Sequence, residues 1–79
     1  MKGKGDIELD FHGYTVEDAL NEAEKAISDI RMNGDVATCY FITGHGQIRS
    51  ALFDMLLNKY QLDPVIPLGN RGVVTVYVY

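Results

Sequence analysis

Asp10 and His12 stand one residue apart in Leu9-Asp10-Phe11-His12-Gly13. Residues two apart on a β-strand leave the same side of the sheet, so a carboxylate and an imidazole share one side. A neighbouring carboxylate raises the basicity of the ring and fixes its tautomer, which a general base or a metal ligand needs near neutral pH. The same pair also fits an Asp that caps a turn beside a half-exposed His. The second candidate is Thr43-Gly44-His45-Gly46. Glycines let the backbone turn tightly and present N–H groups, and a helix starting just after them adds positive potential, so a phosphate or carboxylate can be held there. Arg49 and Ser50 follow closely enough to add donors, and His45 can serve as an acid. The loop has neither the GxGxxG spacing of a dinucleotide site nor the Gly-Lys-Ser/Thr ending of a P-loop, and alone it also reads as a plain strand-to-helix turn. Arg71, in Gly69-Asn70-Arg71-Gly72, lies near to or far from that loop depending on strand order, and reads equally as a solvated turn residue.

The elements that must position these residues are well patterned. Ile7 to Phe11 alternates apolar and polar residues, the signature of a strand with one covered face. From Thr15 onward, Val16, Ala19, Leu20, Ala23, Ile27 and Ile30 recur at three- and four-residue spacing with charges between them, which predicts an amphipathic helix. Thr15 with Asp18 resembles a capping box, and Asn33-Gly34 supplies the stop. Val36 to Thr43 is β-branched, aromatic and nearly all apolar, as in a buried central strand. A second helix is expected after Gly46, with Ile48, Ala51, Leu52, Met55 and Leu56 as its stripe and Asp63-Pro64 as its break. Val65-Ile66 then predicts a short edge strand between Pro64 and Pro67, and the turn at 68–72 leads into a last strand, 73–79.

The expected order is βαβαββ: an α+β or α/β two-layer sandwich, with a four-stranded mixed sheet and both helices on one face. With the first two strands parallel, His12-Gly13 and Gly44-His45-Gly46 emerge together at their carboxyl ends, the edge where open α/β sheets bind ligands. Tyr40, Tyr77 and Tyr79 can lend aromatics to the open sheet face, although ordinary strand composition accounts for them equally.

Composition bounds the rest. The 79 residues, 47% apolar and 23% charged, fit one domain over 1–79 with a flexible Gly/Lys leader at 1–5. A chain of this size buries about 60–65% of its unfolded surface, which favours a site on a rim over a deep cofactor pocket. No run reaches the roughly 20 apolar residues of a membrane span, and the leader has no apolar stretch after its charges, so the expectation is a cytoplasmic protein without a membrane partner, monomeric by default. The single cysteine, Cys39, lies in an apolar run and reads as core. Residues 1–35 carry nine acids and four bases and residues 36–79 two acids and three bases, balances of minus five and plus one that give the net −4. Bulk charge does not signal nucleic acid, and an anion site must be local to the second half.

Taken together, Leu9 to Gly13 followed by Thr15-Val16-Glu17-Asp18-Ala19 resembles the LDLHG-x-T-x-x-E-A opening of the Smr (small MutS-related) domain. Thr43 to Gly46 matches its TGxG motif, and Gly69 to Val74 resembles its closing glycine-rich turn and valine strand. The likeness spans residues 7 to 78. It implies a DNA- or RNA-cleaving domain, some relatives acting as endonucleases on messenger RNA at stalled ribosomes, others attached to mismatch-repair-like proteins. The Asp-x-His of the family falls on Asp10 and His12, and its TGxG loop on Thr43, Gly44, His45 and Gly46. Phe11 replaces the usual leucine, and the basic residues common after the loop are thinned to Arg49. The expected activity is endonucleolytic cleavage of RNA, less favourably DNA. Asp10, His12 and His45 are then catalytic, and Thr43, Gly44, Gly46, Arg49, Ser50 and Arg71 hold phosphate. No cofactor is required, and a divalent metal is compatible with the site, where Asp10 and His12 offer two ligands, too few for a closed structural site. The alternative is a non-catalytic module of the same fold that docks on a nucleic acid, the ribosome or a protein, as the acidic balance favours.

Overall fold

The computed structural model describes residues 5–79; the expected leader, apart from Gly5, lies outside the described residues. The elements are β1 (Asp6–Asp10), α1 (Val16–Met32), β2 (Ala37–Ile42), α2 (Gln47–Asp54) and β3 (Val73–Val78). The sheet has the order β1-β2-β3, with β1 parallel and β3 antiparallel to the central β2. Residues in register share a face, so Ile7, Leu9, Cys39, Phe41, Val74 and Val76 line one side, and Glu8, Asp10, Tyr40, Ile42 and Thr75 the other.

The first side carries the core. Cys39, Phe41, Val74, Val76 and Val78 are sealed from solvent together with Ala19, Ala23, Ile27 and Ile30 of α1 and Leu52 of α2. Fully burying a side chain such as Phe41 contributes about 1.5–3 kcal/mol, and this face concentrates that gain. Among the described residues no helix covers the opposite face. The near-continuous apolar run of β2 therefore belongs to a strand buried on one face, with Thr38, Tyr40 and Ile42 only half-buried.

Helix ends follow local chemistry. Thr15 accepts the Asp18 N–H at 3.1 Å, a side-chain cap of the kind worth about 1 kcal/mol. At the other end Gly34 adopts φ 70°, and the bonds Asp35 N–H to Ile30 O and Gly34 N–H to Arg31 O close a Schellman motif.

Two expectations need correction. The sheet has three strands, not four, so the order is not βαβαββ: Val65 makes only a single antiparallel bridge to Thr75, N–H to O at 2.8 Å in both directions. Pro64 and Pro67 lack N–H groups, which stops the pairing from lengthening. The second helix also does not run to Asp63-Pro64. After Asp54 it widens into a π turn, Met55–Lys59, and Gln61 turns back at φ 55°. The Leu62 N–H reaches the Leu56 carbonyl at 2.9 Å, and the Leu62 side chain plugs the core. No described helix is long and apolar enough to cross a membrane.

Candidate active site

The site is assembled from three turns at one edge of the sheet. The first follows β1. Phe11 is buried, stacks on Phe41 with ring centroids 5.6 Å apart, and donates its N–H to the Ile42 carbonyl at 2.9 Å. The Tyr14 N–H returns to the Phe11 carbonyl at 3.0 Å. With both ends of the turn fixed, His12 and Gly13 are pushed into solvent. The Asp10 carboxylate accepts the main-chain N–H of His12 at 2.9 Å. It holds the turn, as the capping alternative anticipated, and the His12 imidazole has no hydrogen-bond partner among the described residues.

The second turn, residues 43–46, leads from β2 into α2, and the third, residues 69–72, leads into β3. One carbonyl joins them: Gly72 O accepts from Thr43 N–H at 2.8 Å and Gly44 N–H at 3.0 Å, while the Thr43 hydroxyl donates to the Gly44 carbonyl at 2.9 Å. The Gly44 amide is therefore occupied within the protein. The N–H groups left for an anion belong to His45, Gly46 and the first turn of α2, whose N-terminus has no side-chain cap. Gly44 takes φ 72°, a backbone region that L side chains rarely adopt.

Arg49, in the first turn of α2, ties that helix to the third turn by donating from Nη1 to the Arg71 carbonyl at 2.6 Å. This contact brings the Arg71 turn beside the loop, a neighbourhood the sequence left open. The His45 ring lies along Gly72, where an added Cβ would stand 3.5 Å from Nε2. Ser50 is exposed on α2, and its hydroxyl makes no hydrogen bond among the described residues.

Two hollows meet at this edge. A cleft of about 330 Å³ is lined by Asp10, His12, Gly13, Thr43, Gly44 and Ile48. A larger groove of about 440 Å³ runs from Gly44 onto the open sheet face, past Tyr40 and Thr75, with Glu8 on one side and Pro67 and Asn70 on the other. Ile42 and Gly44 line both. Sequence reasoning missed Glu8 and Asn70; the alternation of β1 put Glu8 on the uncovered face, but nothing local marked a groove there.

These residues do not form a closed structural metal site. Asp10 and His12 offer two donors, with the Asp10 Oδ1 engaged by a main-chain N–H, and no cluster of three ligating side chains occurs among the described residues. Cys39 offers no nucleophile either, because burial pushes its thiol up to about 11.

A family model described as "Smr domain" matches residues 9–78, nearly the whole chain. No curated protein and no solved structure matches it.

Proposed function

The chain belongs to the Smr domain family, and from that premise we propose that it is an endonuclease domain that cuts RNA at the cleft between His12 and the Thr43–Gly46 loop. Family membership supports a nucleic-acid-binding or nuclease-like module in general; cleavage of RNA is the finer reading argued from the site. The observation that carries it is the shared cleft. An exposed imidazole from one turn lines the same 330 Å³ as Thr43 and Gly44 of the glycine loop and Ile48 of the uncapped first turn of α2, while His45 and Gly46 follow directly in the loop without lining the cleft themselves.

In this mechanism His12 removes the proton from a ribose 2′-OH, whose oxygen attacks the adjacent phosphorus. The bond from phosphorus to the 5′-oxygen breaks, and His45 returns a proton to that leaving oxygen. The products are a 2′,3′-cyclic phosphate and a 5′-hydroxyl. Asp10 acts as a positioning residue, since it holds the backbone of the His12 turn. The free N–H groups of His45, Gly46 and the first turn of α2 bind the phosphate oxygens as charge develops, with Arg71 and Ser50 as further donors. Arg49 shapes this cradle by tying the Arg71 turn to α2.

The second reading, a non-catalytic module docking on RNA, the ribosome or a protein partner, is favoured by the net charge of −4. One pair of measurements separates them. Purified protein should cleave single-stranded RNA and leave cyclic phosphate ends, and His12→Ala should not; equal rates for the two would remove the catalytic reading. A steep loss of RNA affinity with added salt then marks phosphate contacts, and a flat response marks a protein partner.

A further inference from the structure

The open face of the sheet beside the cleft carries a groove that the proposed chemistry does not use. Its lining has one formal charge, Glu8, and its walls are largely apolar, with Tyr40, Val73 and Pro67 among them. Glu8, Tyr40 and Thr75 are register partners and form one row across β1, β2 and β3. Neighbouring strands lie about 4.8 Å apart, so the row spans about 10 Å, enough for the long dimension of a purine. The groove volume, about 440 Å³, lies in the range of small-ligand pockets. Glu8 lines the groove and makes no side-chain hydrogen bond or ion pair among the described residues, which leaves its carboxylate with acceptors to spare. Asn70 turns its Oδ1 to the Gly72 N–H at 3.3 Å, which leaves its NH₂ end to donate.

We infer that this groove is a guanine subsite for a base turned out of a single strand whose backbone lies along the cleft. The placement of the backbone rests on the reading of the cleft given above; the choice of base rests on the groove. A carboxylate in the groove repels phosphate and accepts N–H donors. Guanine alone presents two adjacent donors, N1–H and the N2 amino group, to the two oxygens of one carboxylate, and its O6 accepts from Asn70. Adenine and cytosine set a ring nitrogen lone pair beside their amino group, and uracil flanks its single N–H with carbonyls, so each opposes one carboxylate oxygen with an acceptor. Tyr40 and the apolar wall supply the stacking surface, which by itself is indifferent to the base.

The test is an amide NMR titration of the whole chain with the 5′-monophosphates of guanosine, adenosine, cytidine and uridine, and with inorganic phosphate alone. GMP should shift the amides of Glu8, Tyr40 and Thr75 and bind about tenfold or more tighter than the other three, in line with one bidentate pair. Glu8→Gln should abolish that preference, while inorganic phosphate continues to shift the 45–48 amides. Equal affinity for all four nucleotides means an unselective stacking surface and overturns the inference, as does a guanine preference that survives Glu8→Gln or an open face that none of them shifts. The two readings fail separately: RNA cleavage without base preference sinks the guanine subsite alone, and guanine selection without cleavage sinks the nuclease alone.

Discussion

Two polar regions of the molecule handle their hydrogen-bonding groups in opposite ways. On the helix side, Glu24 of α1 accepts from Lys59 Nζ at 2.6 Å and from Tyr60 Oη at 2.9 Å, and the Arg31 guanidinium lies 5.7 Å from the centre of the Tyr60 ring. The polar atoms there are directed at one another, which fastens α1 to the end of the second helix. At the strand ends, by contrast, Asp10 and Arg49 hold backbone while the His12 imidazole and the first amides of α2 have no partner among the described residues. A cluster that satisfies itself is structural, whereas groups fixed in place and left unpaired can bind something else.

The largest test of this contrast is catalytic. His12→Ala should lower RNA cleavage by about 10²–10⁴-fold and leave the thermal midpoint nearly unchanged, because the side chain is exposed and has no partner among the described residues. Glu24→Gln should do the reverse in kind, lowering the midpoint without changing the cleavage rate. If Glu24→Gln slows cleavage as much as His12→Ala does, the division between the regions fails.

Gly44→Ala comes next, since it strains the loop that joins the two hollows. A side chain at φ 72° costs about 1–2 kcal/mol, although an added Cβ would meet no atom within 4 Å. Urea unfolding should show that loss, and phosphate-induced shifts at 45–48 should weaken with it. Full stability would mean that the loop relaxes freely and is not a rigid cradle.

The smallest effect is a pH dependence in the helix-side cluster. The Lys59 hydrogen bond, and then that from Tyr60, hold the Glu24 carboxyl below its ordinary value of 4.5. Its stabilisation is therefore complete above that ordinary value and is lost as pH falls through the lowered folded value. Lys59 is largely solvated and Glu24 partly so, and the effect should be small and reduced by salt. Stability measured between pH 6 and 3 should fall less in Glu24→Gln than in the parent chain, and identical curves would show that the cluster contributes nothing.

Much of the fold was legible because it is written in local periods. The alternation of Ile7, Leu9 and Phe11 set the buried face of β1 and its continuation, and the α1 stripe gave Ala19, Ala23, Ile27 and Ile30 as core. The caps at Thr15 and Gly34 were readable for the same reason, since each uses neighbours within five residues. Leu62 was missed because Gln61 carries none of the usual helix-stop chemistry, and only the π turn explains why the chain reverses there. Val65-Ile66 was overread because strand propensity says nothing of how many N–H groups the flanking prolines leave.

For the site, the sequence by itself determined which chemical groups are present, which turns bear them, and that the ends of two parallel strands would bring His12 near the Thr43–Gly46 loop. Tertiary structure alone decided their hydrogen-bond partners. It gave the Gly44 amide to Gly72, Arg49 to the Arg71 carbonyl, and left Glu8 on the wall of an open groove. Helix and strand periods repeat along the chain and can be read there. A loop amide or guanidinium instead takes whatever carbonyl the neighbouring strand sets within about 3 Å, and that neighbour is distant in sequence.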